Sequence, residues 1–286
     1  MSAPVEVCLV SYQSGSDLAE AIRSVARHLP GACVAVREHG PDTDSIDLAA
    51  AAATECGVPF RSQHAPENPG FGAGCNALAA SSSAAWLLFL NPDAVITAWP
   101  FTDHEPTPRA VLGPATIDSA RAESHRGVRY RIVDEARRSW FRQWGPAPDG
   151  AGYVSGAALL VNRDDHVRIG GFDDAFFLYY EDIEYCLRAN RQGIPTQLVD
   201  GWSIGHAGAH STSPRFAQSL QWQYESACRL HHLQHESLVL YRVYVAADAA
   251  MRWCAHLVRR DGVKRHAYRT QLVRVLGDLA RRRNAL

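Results

Sequence analysis

The sequence contains no CxxC pair, no excess of either charge and no apolar run of about 18 residues, and each absence removes a class of protein. Its seven cysteines (Cys8, Cys33, Cys56, Cys75, Cys186, Cys228 and Cys254) are odd in number and widely scattered. Neither a disulfide framework nor a zinc knuckle is indicated, and a reducing cytoplasm is the expected setting. The formal net charge is -1 over 286 residues, which gives no basis for nucleic-acid binding. The N-terminal MSAPVEVCLVSY lacks the basic segment and long apolar core of a secretory signal, and no transmembrane helix is expected. Internal repeats and low-complexity linkers are also missing. What remains is an ordinary globular composition, 47% hydrophobic and 21% charged, long enough for one large domain or two.

Strand and helix patterns alternate through the first hundred residues. VEVCLV (5–10) reads as a buried strand, ACVAV (32–36) and VPFRS as further strands, and AWLLFL (85–90) as a continuous apolar strand. Between them, 17–28, SIDLAAAAATECG (45–57) and GFGAGCNALAASS carry helical spacing, the last with a glycine-rich entry. Such alternation predicts an α/β fold, with a mostly parallel sheet covered by helices on both faces. Beyond residue 100 the pattern loosens: VLGPATI reads as a strand, and 118–152 is Arg-rich and irregular. YVSGAALLVNR (153–163) reads as a strand whose Ser155, Gly156 and Ala157 permit close approach of a ligand or backbone. From about Pro214 the chain is mostly helical.

Four segments stand at the ends of predicted strands, where ligands of such sheets bind. The first is the loop SYQSGS after strand one. The second is ENPGFGAGCN (67–76), whose glycines let backbone N–H groups reach a phosphate or sugar. The third is FLNPDAVI (89–96), which delivers Asp93, a hard oxygen ligand for a divalent cation or else the cap of a following helix. The fourth is YYEDIEYCLR (179–188), followed by GWSIGHAGAHST (201–212) with His206 and His210 in a Gly/Ser-rich loop. Glu181 and Asp182 suit acid–base work, and equally the plain complementation of a helix dipole in its first turn.

Taken in order, N-P-G-F-G-A-G-C-N (68–76), L-N-P-D (90–93), V-S-G-A (154–157), G-G-F-D (170–173), F-F-L-Y-Y-E-D-I-E (176–184) and His206 resemble the inverting glycosyltransferases of family two, which have the GT-A fold. The resemblance covers residues 5 to 212. Its wording is most similar to bacterial rhamnosyltransferases that act on a polyprenyl-diphosphate-linked sugar, especially in H-A-G-A-H-S-T (206–212). It implies a nucleoside-diphosphate-sugar donor of the dTDP or UDP type, with dTDP-rhamnose first, and Mg²⁺ or Mn²⁺ as cofactor. Asp182 is implied as the base and Asp93 as the metal- and diphosphate-binding carboxylate, with His206 completing that site. Glu181, Gly156, Ala157 and Arg188 are implied on the acceptor side, and Ser11, Tyr12, Glu38, Asn68, Gly70, Gly72, Asn76 and Asn91 on the donor side. The acceptor is a lipid-linked glycan or a small natural product.

Two positions depart from that family. Where it has Asp-Asn at the end of strand two, this chain reads V-R-E-H-G (36–40), so Arg37 falls in the Asp slot and Glu38 takes the role only after a one-residue shift. The metal motif also has one carboxylate where many relatives have two. A catalytically silent nucleotide-sugar-binding scaffold is the alternative these departures raise, opposed by the retention of Asp93 and Asp182. A nucleotidyltransferase would want a basic phosphate-activating loop, and SYQSGSD has no Lys or Arg.

The resemblance divides the chain into a catalytic domain, 1–212, and a helical extension, 213–286. Within the first, the nucleotide-sugar half ends near 100. From Tyr241 to Leu286 there are eleven Lys/Arg against three Asp, interleaved with apolar residues. That pattern suits peripheral contact with an anionic membrane surface, or a packed terminal helix with a solvated basic face, or a homodimer contact.

Overall fold

In the computed structural model, residues 5–101, 110–118, 120–121, 131–141, 152–206 and 215–281 are described. Four strands pair in parallel in the order β3-β2-β1-β4: β1 (Val5–Ser11), β2 (Cys33–Glu38), β3 (Phe60–His64) and β4 (Trp86–Leu90). Parallel neighbours need crossovers, supplied by α1 (Gly15–His28), α2 (Asp44–Cys56) and α3 (Phe71–Ala80). On α1 the periodic Leu18, Ile22 and Val25 turn inward and are fully buried. Leu87, Leu88, Phe89 and Leu90 of β4 are also fully buried, as an uninterrupted apolar strand covered on both faces should be. Each such side chain contributes roughly 1.5–3 kcal/mol.

Chain order reverses between β1 and β4. That reversal is a topological switch point, and the crevice beyond the carboxyl ends of these two strands is where open α/β sheets bind ligands. The loops that open there begin at Ser11 and Asn91.

The other half of the sheet is mixed. β4 pairs antiparallel with β8 (Ala158–Asn162), which pairs antiparallel with β6 (Val111–Ile117). β6 runs parallel to β9 (Thr196–His206), which carries β5 (Ala94–Ala98) antiparallel at the edge, and β7 (Ala120–Arg121) pairs with β6. The strand predicted over 153–163 is shorter than its sequence suggests. Gly156 and Ala157 form a turn, and because that turn enters the sheet at the carboxyl edge of β4, β8 must run against β4. The stretch 201–212 read as a loop opens instead within a strand: β9 continues through Gly201, at φ 82°, to His206. His206 therefore ends a strand rather than lying in a loop, whereas His210 falls outside the described residues.

Two helices follow β8: α5 (Arg163–Ile169) and α6 (Glu181–Arg191). Phe172 stacks on Tyr185 of α6 at 4.6 Å and meets Phe89 of β4 edge-on at 5.2 Å. These aromatic contacts hold α6 against the central strand.

The chain divides into two units, residues 1–128, 146–177 and 181–208 in the first, and 129–145, 178–180 and 209–286 in the second. The second is built on α4 (Ile132–Phe141), α7 (Phe216–Leu233), α8 (Leu238–Val258) and α9 (Gly262–Ala280). The helix α4 lies within the stretch read as irregular. Ile132 joins Tyr224, Ala227, Tyr241, Val245 and Val275 in one apolar core, which is why this segment belongs with the C-terminal helices. Part of the basic tail thus packs: Tyr241, Val245 and Val275 are buried, while Val243, Leu257 and Val258 are exposed.

Candidate active site

The motifs of the first unit converge on the carboxyl edge at the switch point. Asn91-Pro92-Asp93-Ala94 is a tight turn closed by the Ala94 N–H donating to the Asn91 carbonyl at 3.1 Å, with proline at the position that favours it. A strand, β5, follows it. The helix that Asp93 could have capped is not there. The Asn91 N–H donates to the Ala157 carbonyl at 3.0 Å, and the neighbouring Gly156 N–H donates to Asp182 Oδ2 at 2.8 Å. A side chain at Gly156 would stand 3.2 Å from Asp182 Cβ, so the missing Cβ is what lets this backbone close on the carboxylate. One backbone–backbone bond, one residue step and one backbone-to-carboxylate bond therefore link the Asp93 turn to Asp182.

Glu181 and Asp182 open α6 as an adjacent pair of carboxyls, the first buried and the second half-buried. Tyr179 and Tyr180, which lead into the helix, both take positive φ (70° and 68°), an uncommon and strained conformation for bulky residues. The environments of the two acids differ. Asp182 accepts the N–H groups of Gly156 and Ile183, each at 2.8 Å, and both bonds favour its anion. Glu181 Oε2 is buried and has no hydrogen-bond partner, which favours the neutral acid. Burial first, and the Asp182 charge second, push the Glu181 carboxyl up to about 8. Burial also raises Asp182, opposed by its backbone donors. One proton on Glu181 and an ionised Asp182 is the arrangement this geometry favours.

A carboxyl raised on folding binds a proton that the unfolded chain has already released. Stability then falls as pH rises from the ordinary Glu value of 4.5 to about 8. Glu181→Gln removes that titration. Thermal unfolding at about pH 5 and about pH 8 should show a smaller alkaline loss of Tm in the variant than in the unmodified chain. Equal losses would mean that Glu181 is not protonated in the fold.

Several residues expected to face ligands are instead taken up by the protein. A Cβ at Gly70 (φ 108°) would collide with the Phe177 backbone, whose carbonyl accepts the Phe71 N–H at 3.1 Å. One at Gly72 would stand 2.9 Å from Phe172 Cβ. The glycine-rich entry of α3 thus serves backbone packing against the segments that precede α6. Asn76 is a clamp as well: its amide accepts from Phe172 N and donates to Phe172 O, both at 2.8 Å, and also to Asp174. Arg188 binds Glu184 through Nε and Nη2 and the carbonyls of Ile169 and Gly171 through Nη1. It ties α6 to the G-G-F-D turn and is not gathered at Asp182.

The departure at the end of β2 has a structural explanation. Glu38 is fully buried, and its oxygens accept from Ser11 Oγ at 2.5 Å, Gln13 N at 2.9 Å and Gly40 N at 2.6 Å. It fixes the loop after β1 rather than presenting a free carboxylate, and Ser11 is buried with it. Tyr12, 38% exposed, and Gln13 present exposed side chains on that loop. Arg37 Nε donates to His39 Nε2 at 3.1 Å, and His39 Nδ1 lies 3.2 Å from Asn68 Oδ1. Asn68 Oδ1 also accepts the Gly70 N–H, so this polar chain holds the entry to α3 beside the end of β2. Sequence reading missed this network, for which the spacing of three polar residues gave no periodic signal.

No family model matches the chain. Over 77 residues it is 32% identical to rhamnosyltransferase WbbL of Escherichia coli (strain K12), covering 27% of this chain and 29% of that one. Over 81 residues it is 33% identical to an N-acetylglucosaminyl-diphospho-decaprenol L-rhamnosyltransferase of Mycobacterium tuberculosis, covering 28% of this chain and 26% of that one. The chain thus spans less than a third of the length of these two relatives. Among solved structures it is similar to mannosyltransferase PcManGT from Pyrobaculum calidifontis, in complex with GDP-Man and Mn²⁺. The TM-score is 0.56 at 14% identity, over 99% of this chain and 89% of that one. The chain has the GT-A fold. Its sequence resembles rhamnosyltransferases.

In this GT-A sheet the carboxylate of Asp93 is half-buried at the switch point, and the next residue, Ala94, pairs in register with His206. The turn that carries Asp93 thus adjoins the end of β9. A single hard oxygen fits a divalent cation that takes its other ligands from water and substrate phosphates. Among the described residues no group of three or more His, Cys, Asp or Glu forms a complete protein cage.

Proposed function

We propose that this chain is an inverting glycosyltransferase that moves a sugar from a nucleoside diphosphate to an acceptor hydroxyl, with Asp182 as the base. The observation that carries the reading is the Asn91–Ala157 and Gly156–Asp182 pair of bonds, which brings the Asp93 turn and the acid pair to one sheet edge. A hydroxyl is a poor nucleophile at neutral pH, and a carboxylate within hydrogen-bond reach accepts its proton as attack proceeds. Asp182 takes that proton, the acceptor oxygen bonds to the anomeric carbon, and the bond to the diphosphate oxygen breaks on the opposite side. The electron pair leaves with the nucleoside diphosphate. Glu181, kept neutral by burial, leaves Asp182 as the sole anion of the pair.

Asp93 and His206 would hold Mg²⁺ or Mn²⁺. A cation there supplies positive charge against the leaving diphosphate. Gly156 and Ala157 border the acceptor side through their backbone. Tyr12 and Asn91 flank the donor side, and Glu38 and Asn68 act there through the loops they hold.

Rhamnose from dTDP-rhamnose is the proposed donor, supported by the two rhamnosyltransferase relatives. A polyprenyl-diphosphate-linked sugar is the proposed acceptor, supported by the name of the mycobacterial relative. The test is a panel of nucleotide sugars incubated with the chain and Mn²⁺, read as released nucleoside diphosphate. Release above the buffer rate from dTDP-rhamnose, and least from sugars on other bases, is expected. Release from none would remove the transferase reading, and release from another sugar alone would replace the donor.

A further inference from the structure

We propose that the outward face of α8, with the basic residues just beyond it, docks on an anionic lipid bilayer. Leu240, Val243, Ala247, Met251, Cys254 and Val258 recur at helical spacing and are all exposed, Leu240 to 58% and Val258 to 84%. The opposite face holds Tyr241, Tyr244, Val245 and Ala249 in the core of its unit. At about 1.5 Å per residue, the apolar stripe runs roughly 27 Å. An apolar surface of that extent marks an interaction site. Arg252, the charged residue on the exposed surface between Val239 and Val258, is engaged by Asp248.

Charge selects the occupant. Arg259 and Arg260 end the stripe, and Lys264, Arg265 and Arg269 follow on α9, all exposed. The one acid among them, Asp261, caps α9 through the Lys264 N–H. In a parallel pairing of two copies along α8, this basic end would meet its own duplicate. In an antiparallel pairing it would meet the positive end of the other helix. Both arrangements repel. Against anionic headgroups every one of these cations is attracted, while the stripe enters the boundary of the acyl chains. No helix among the described residues is long and apolar enough to cross a membrane, so the contact is peripheral.

The inference deepens the reading above and rests on it for the purpose of docking, which is access to a lipid-linked acceptor. Its physics is tested without any substrate. The full chain is sedimented with vesicles of equal parts phosphatidylglycerol and phosphatidylcholine, and with phosphatidylcholine alone, at low and high salt. Binding to the anionic vesicles at low salt is expected, weaker by about tenfold at high salt. Val243→Glu with Met251→Glu, and separately Arg259→Glu with Arg260→Glu, should each reduce it by a similar factor. These are surface changes, and an unchanged Tm checks that each variant folds. Binding that survives either pair of substitutions overturns the proposal. So does a stable dimer that binds no vesicles and becomes monomeric with Val243→Glu and Met251→Glu. Nucleotide-sugar hydrolysis measured in parallel separates the two claims, since lost docking with retained hydrolysis leaves the transferase reading standing.

Discussion

Asp182→Asn lowers turnover by about 10² or more while leaving donor affinity nearly unchanged. The substitution conserves shape and removes the group that accepts the hydroxyl proton. An asparagine can still accept the Gly156 N–H, so the turn before β8 and the Asp93 turn tied to it should stay in place. Glu181→Gln is the matched control. If Glu181 already carries a proton, the amide replaces a neutral group by another, and turnover should stay within about tenfold of the unmodified chain. Steady-state transfer kinetics with calorimetric donor affinities distinguish the two. Wild-type turnover in Asp182→Asn would return the acid pair to the role of a helix-dipole complement. A large loss in Glu181→Gln with none in Asp182→Asn would move the base to its neighbour.

Asp93→Ala removes the divalent-cation dependence of nucleoside-diphosphate binding. In the unmodified chain Mn²⁺ should raise affinity by on the order of tenfold or more, because a bridging cation is held by protein and phosphate together. Without the carboxylate that gain should disappear, leaving the metal-free affinity little altered. Calorimetry on both proteins, with Mn²⁺ and with chelator, reads the effect without catalysis. The same Mn²⁺ gain in Asp93→Ala would take the cation away from this turn.

Much of the first unit was legible because its signals are local. AWLLFL is continuously apolar since β4 is covered on both faces, and α1 shows its buried side at helical spacing. The Asn-Pro-Asp turn was readable from proline chemistry. What escaped depends on contacts distant in sequence. The glycines of α3 look like a phosphate cradle, yet Gly70 and Gly72 are filled by Phe177 and Phe172, a hundred residues on. Asn76 and Arg188 look like ligand-binding polar groups, and only the fold reveals their backbone partners. The Gly/Ser-rich stretch 201–212 reads as a loop, but Gly201 at positive φ lets β9 continue to His206. Nothing in the sequence announces two successive tyrosines at positive φ. α4 was missed because its apolar contribution, centred on Ile132, is completed only by the distant α7, α8 and α9.

The anomeric configuration of the transferred sugar tests the central claim most directly. With the donor selected by the nucleotide-sugar panel and a sugar diphosphate acceptor, NMR of the product reports whether the new bond has the configuration opposite to that of the donor. Direct displacement with Asp182 as the base predicts complete inversion, in a product that Asp182→Asn forms at least about a hundredfold more slowly. Retention of configuration, or transfer undiminished in that variant, would contradict the account.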